Sequence, residues 1–331
     1  MDQKSDTKAL VNSALISALI VIITIIFNYL LLSSIINTIL IPIIIAIVYV
    51  KYGAKYSVSC IVLSSILTSV LLSPLKGIPT IICYGIIGVI LGREIKLKRN
   101  SNSILWIIFF SFIISTVLEV ILTGFIIGQY NPINYIKEIV NVQHEFIISY
   151  IEAFIANGQS LGFPESILSN YEQIKNVFNI GMVYSIIPSM IIFSSFISSI
   201  ITIQLYEFIC KRLKMLNNTK LDMSMIYISN LIGAGLIASI SICIILINKH
   251  VLWANYFGNA FKLITLILMT INGVCAIEYF LKRKIGVPKG ARLIIIIVTL
   301  LFSGGIIYSI IGFVEMILDF RKLDPHRLRK A

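Results

Sequence analysis

The stretch Ile104–Gly128, ILWIIFFSFIISTVLEVILTGFIIG, decides the fold. It exceeds the about 20 apolar residues that carry a helix across a bilayer, and it holds one ionisable side chain, Glu119. Hydrocarbon offers a backbone amide no partner, so a run like this crosses as a helix whose hydrogen bonds close within the segment. Runs of the same kind recur along the chain, at roughly 9–30, 36–50, 57–73, 77–92, 178–208, 225–247, 256–281 and 292–319. The short ones, the second to fourth, are separated by Lys51-Tyr52-Gly53, by Ser73-Pro74-Leu75-Lys76-Gly77 and by the basic stretch from Arg93 to Asn100. Over 331 residues, 58% are hydrophobic and 13% charged, with a mean hydropathy of +0.96. Soluble domains carry about one-quarter charged residues. The expected fold is all-α, a polytopic integral membrane helical bundle with eight full spans plus a C-terminal hairpin or ninth span.

The net charge of +12 would suggest nucleic acid in a soluble chain. Here the basic residues fall in short clusters between apolar runs, with no basic stripe interleaved with aromatics, so no nucleic-acid partner is expected. The clusters set topology instead. With the N-terminus cytoplasmic, inner segments hold Lys4 and Lys8, Lys51 and Lys55, the Arg93–Arg99 group, Lys211 with Arg212, Lys214 and Lys220, and the group from Lys282 to Arg292. The outer segments hold Lys76, Lys137, Lys175 and Lys249. Trp106 falls at an inner edge and Trp253 with Tyr256 at an outer one, as interfacial aromatics should. The last run breaks the alternation. A ninth crossing would put Arg321, Lys322, Arg327, Arg329 and Lys330 outside, whereas a hairpin with its tip at Ser303-Gly304-Gly305 would return the tail to the cytoplasm; the hairpin is favoured.

A polar insertion at about 129–177 is extracellular in this topology. Tyr135–Ala156 carries Ile136, Ile139, Val140, Phe146, Ile147, Tyr150, Ile151 and Phe154 at helical spacing, and 165–177 repeats the habit. Gly158–Pro164 breaks the two. The reading is a pair of amphipathic helices lying on the membrane or capping a cavity. It divides the chain into a six-helix membrane domain, 1–220, that includes the insertion, and a C-terminal region, 221–331, of further membrane helices and a basic tail.

Motifs for chemistry are absent. There is no GxxxxGK[ST] phosphate loop, GxSxG or HExxH. Cys60, Cys83, Cys210, Cys243 and Cys275 form no CxxC and read as small core residues, and His144, His250 and His326 are scattered. No enzyme activity, metal or cofactor is expected. If the chain moves a solute uphill with ATP, ATPases in trans must hydrolyse it.

Ala14-xxx-Ala18 in the first run, beside Ser13 and Ser17, puts small residues on one helix face, where another helix can approach closely. Packing within the chain is the commoner explanation of such a face, and docking of a partner helix is the other. Gly88-xxx-Gly92 reads as packing. Glu119 lies about 22 Å along its helix at 1.5 Å per residue, inside the bilayer. A carboxylate there costs about 2.5 kcal/mol or more and faces a cavity or a partner. Asn28, Asn37 and Thr38 flank the first outer turn and could line a mouth with it. Glu207, Glu278, Glu315 and Asp319 sit nearer helix ends and are expected at interfaces.

The chain resembles the YybS-like family of predicted membrane proteins, which has no assigned activity. The resemblance rests on Tyr84-Gly85-Ile86-Ile87-Gly88-Val89-Ile90-Leu91-Gly92-Arg93, Tyr171-Glu172-Gln173, Pro188, and the ending from Ile311-Gly312-Phe313 to Leu318-Asp319-Phe320-Arg321-Lys322. The first six helices also look like the S components of energy-coupling-factor vitamin transporters, whose first helix meets a coupling membrane subunit through an AxxxA face. That likeness implies a solute-binding subunit in the cell membrane, with Glu119, Asn28, Asn37 and Thr38 at an unknown small-molecule ligand and Ala14 and Ala18 facing the coupling subunit. The extra runs after residue 220 and the long insertion depart from that pattern. The alternative is a non-transporting scaffold or regulatory protein of the cell envelope.

Overall fold

The computed structural model describes residues 3–29, 33–127, 131–213 and 222–324. Every regular element among them is helical: α1 (Gln3–Tyr29), α2 (Ser33–Tyr52), α3 (Ala54–Leu71), α4 (Ile82–Lys96), α5 (Ser101–Ile126), α6 (Pro132–Ser160), α7 (Glu165–Val177), α8 (Ile180–Arg212), α9 (Asn230–Asn248), α10 (Leu252–Phe280), α11 (Lys289–Ser303) and α12 (Ile306–Leu318). A π-helical turn, Lys76–Ile81, leads into α4, and another, Leu281–Ile285, closes α10. Seven stretches are long and apolar enough to cross a membrane; α2 is a shorter apolar helix, and α11 with α12 forms a pair bent by 109°. The chain is a polytopic membrane helical bundle. The helices α6 and α7, and the break between them, fall where the spacing of the insertion places them. Lys214, Lys220, Arg327, Arg329, Lys330 and His326 lie outside the described residues, as do the side chains of Lys4, Lys76 and Trp253.

By its contacts the chain divides into two compact units: residues 1–136 with 193–221, and residues 137–192 with 222–331. In this division the helices of the insertion count with the C-terminal residues. Within the first unit, small residues let helices close on one another. The face of α1 holding Ser13, Ser17, Ile20 and Thr24 is buried. There the Ser17 hydroxyl donates to the Ser13 carbonyl at 2.8 Å and meets the Cys60 sulfur of α3 at 3.2 Å. Gly88 and Gly92 of α4 do what their spacing suggests. A Cβ on Gly88 would stand 2.6 Å from the Pro42 carbonyl of α2, and one on Gly92 would stand 2.6 Å from Tyr49 Cβ. Trp106 of α5 packs edge-on to Phe109, which meets Phe196 of α8 in the same way.

In the second unit α6 and α7 form a hairpin around Ile151 and Leu168, with Phe154 against Tyr171 at 4.3 Å between ring centres. Helix α12 crosses α10 backbone to backbone: Gly273 faces the Tyr308 carbonyl and Gly312 the Met269 carbonyl, with no room for a Cβ on either. The bent pair is neither a straight ninth crossing nor a tight antiparallel hairpin. Helix α11 begins beside α10, with Arg292 on Glu278 at 2.9 Å. After the turn at Gly304 and Gly305, both at positive φ, α12 ends where Arg321 donates to the carbonyls of Ser224 and Ile226. That segment is tied to the basic end of α10 by Lys282 on Asp222 and Arg283 on the Met225 sulfur. Both ends of the pair therefore return to the basic end of α10. Burial works to raise the Asp222 carboxyl, but hydrogen bonds from Lys282 and Ser224 outweigh it and hold the group below its ordinary range.

Candidate binding site

Glu119, on α5, is half-buried in the first unit, and the Tyr84 hydroxyl of α4 donates to its Oε2 at 2.6 Å. The same hydroxyl is hydrogen-bonded to Thr38 of α2. Pro42, four residues on, has no N–H for the Thr38 carbonyl, which loosens the helix ladder at this point. Asn37 beside it is 3% exposed, and its side-chain oxygen has no hydrogen-bond partner among the described residues. The structure thus brings Thr38 and Glu119 to one tyrosine. Asn28, half-buried near the end of α1, makes no side-chain hydrogen bond to them among the described residues. Tyr84 escaped the sequence reading because a tyrosine inside an apolar run looks like packing; it lies in the stretch that carries the family resemblance.

Ala14 and Ala18 are exposed among the described residues, on a stripe with Leu10 and Ile22 that flanks the buried serines.

An open cavity of about 1290 Å³ lies within the second unit. From α10 it takes Asn255, Tyr256, Asn259, Lys262 and Leu263, one face at helical spacing. From α8 come Gly181, Met182, Ser185 and Ile186, again one face, and Asn179, whose side-chain oxygen accepts from the Met182 amide at 2.9 Å and caps the helix. The hairpin supplies Ile148 and His144 from α6 and Lys175 from α7. The His144 ring stacks on Phe178 at 5.9 Å and donates from Nε2 to the Phe178 carbonyl at 3.1 Å. Among the described residues no Asp or Glu lines the cavity. Lys175 is paired with Glu152 at 2.6 Å. Lys262 makes no ion pair among the described residues.

Lys262 is a site residue that the hydropathy reading passed over. The signal was in the sequence: Asn255, Asn259 and Lys262, four and three apart, put a polar stripe on the opening turns of an apolar run. The candidate span of this helix runs Ala254–Ile285, so Lys262 lies within it, about two turns from its first residue and away from the basic end of α10. Glu278 and Glu315, expected at interfaces, are ion-paired instead, Glu278 to Arg292 and Glu315 to Arg321; Glu315 and Arg321 are 4% and 0% exposed at the side chain.

No curated protein and no solved structure matches the chain. A family model described as predicted membrane protein DUF2232 matches residues 18–316. That match covers all the spans but the first turns of α1 and the close of α12, so the chain belongs to the DUF2232 family of predicted membrane proteins.

Proposed function

We propose that this chain is a solute-binding membrane subunit that captures a small molecule in the α6–α7–α8–α10 cavity and depends on separate coupling and ATPase subunits for any transport. The observation that carries the reading is the cavity itself. It is larger than the roughly 300–1,000 Å³ of common ligand pockets, and it presents a polar stripe on α10 opposite apolar residues of α6 and α8. In the topology read from Lys and Arg, it opens on the extracellular side. The exposed Ala14/Ala18 stripe supports the second half of the proposal, because small residues facing lipid let a partner helix approach closely. The hydroxyl-lined Glu119 cluster is a second polar site on the spans, available to respond when a solute or partner binds.

Purification in mild detergent followed by native mass spectrometry tests both halves. A small molecule should be retained, and Leu263→Trp, which puts an indole into the apolar wall of the cavity, should weaken its retention. Ala14→Trp with Ala18→Trp should leave yield and retained ligand unchanged while removing co-purifying coupling subunits. Overpacking costs about 1–3 kcal/mol, so a collapse in yield would show that the stripe packs inside the protein. Absence of any ligand or ATPase partner would move the reading to a scaffold or regulatory protein of the cell envelope. That alternative draws on the exposed apolar stripe Val142, Phe146 and Tyr150 of α6.

A further inference from the structure

Resting on the solute-binding reading, we infer that the ligand is an amphiphile with an anionic head, a carboxylate or phosphate, held at Lys262 with its apolar body along Ile186 and Leu263. Three observations set the sign of the head. Among the described residues the walls carry lysines and no carboxylate. One lysine, Lys175, is already neutralised by Glu152. The other, Lys262, makes no ion pair among the described residues, and an ammonium within an apolar span is stabilised most by an anion. The first turn of α8 also lines the cavity, so the positive end of that helix dipole faces the same space. Asn259 and Asn255, one and two turns before Lys262 on α10, offer amide donors to the remaining head-group oxygens.

The amphiphile follows from depth. Lys262 lies inside the apolar span Ala254–Ile285, with Asn259 and Asn255 nearer the start of that span and Leu263 beside it. A small hydrophilic anion on Lys262 would leave the apolar wall without a partner. A chain-bearing anion satisfies both ends at once and can enter sideways from the leaflet.

The test uses the purified full chain and 11-(dansylamino)undecanoic acid, a fluorescent long-chain carboxylate, with its methyl ester as the neutral match. The acid should bind saturably and about tenfold or more tighter than the ester, the worth of one charge-assisted hydrogen bond. Lys262→Gln should erase that difference while leaving ester binding and the melting temperature unchanged. Inorganic phosphate should fail to displace the acid, and dodecyl phosphate should succeed. Equal binding of acid and ester would overturn the anionic head and leave the solute-binding reading standing. An unchanged acid preference in Lys262→Gln would also overturn it. Displacement by inorganic phosphate as strong as by dodecyl phosphate would overturn the amphiphile. No saturable binding of either probe, with Leu263→Trp indistinguishable from the parent protein, would overturn both proposals.

Discussion

Glu119 and Glu315 both sit on apolar helices, and the molecule treats them in opposite ways. Glu315 is buried against a guanidinium. Arg321 donates to it at 2.7 Å and spends its other nitrogens on the Ser224 and Ile226 carbonyls and on Asn272 Oδ1. Asn272 in turn donates to the Gly312 carbonyl. Four chain segments meet at that arginine, which makes it a structural clasp. Glu119 is met by a hydroxyl, and that hydroxyl is shared with Thr38. A carboxylate in an apolar run is therefore ambiguous until its partners are known.

The largest effect expected from this comparison is at the clasp. Arg321→Ala leaves the buried Glu315 carboxylate without its counter-ion and Asn272 Oδ1 without the guanidinium donor, and breaking a buried ion pair costs about 3–5 kcal/mol. Monodisperse yield in detergent should fall steeply, and removing both charges with Arg321→Met and Glu315→Leu should recover part of it. A single variant as stable as the parent would show that the clasp contributes nothing to the fold. The α10–α12 crossing that the clasp closes comes next. Gly312→Ala drives a methyl into the Met269 carbonyl, and overpacking of this kind costs about 1–3 kcal/mol. Gly235→Ala on α9, where a Cβ meets nothing within 4 Å, should be neutral or gain up to about 1 kcal/mol from helix propensity. Equal melting temperatures for the two would mean that α12 does not rest on α10.

Hydropathy made the spans legible because the bilayer imposes one length on them all, and the amphipathic spacing of residues 135–177 located α6 and α7 to within a few residues. The glycine pair Gly88/Gly92 was readable because its spacing alone puts both on one helix face. Gly273 and Gly312 were not, since they lie on different helices and no spacing joins them. The clasp was hidden for the same reason: Glu315 and Arg321 are close in sequence, but Ser224, Ile226 and Asn272 complete the site from far along the chain. Ser303-Gly304-Gly305 did mark a turn, yet the 109° angle depends on how α12 meets α10. Of the candidate site, Thr38 and Glu119 were named without the tyrosine that joins them. Lys262 was lost inside a run judged by its average hydropathy.

The smallest effect is at Glu119, and it is the sharpest test of the contrast. Glu119→Gln keeps an oxygen that can accept from Tyr84, so the fold should lose about 1 kcal/mol or less, the net worth of one hydrogen bond. Tyr84→Phe removes the donor and should cost a similar amount. Glu315→Gln has the same chemistry but leaves the Arg321 charge buried against a neutral amide, so it should approach the loss of the arginine itself. Melting temperatures of the three variants in one detergent decide the matter. If Glu119→Gln is mild and Glu315→Gln severe, the fold does not depend on the charge of Glu119, and a cellular phenotype of Glu119→Gln with normal expression would assign that charge to function. If Glu119→Gln destabilises the protein as much as Glu315→Gln, then Glu119 is itself a structural counter-ion and the contrast between the two acids is lost.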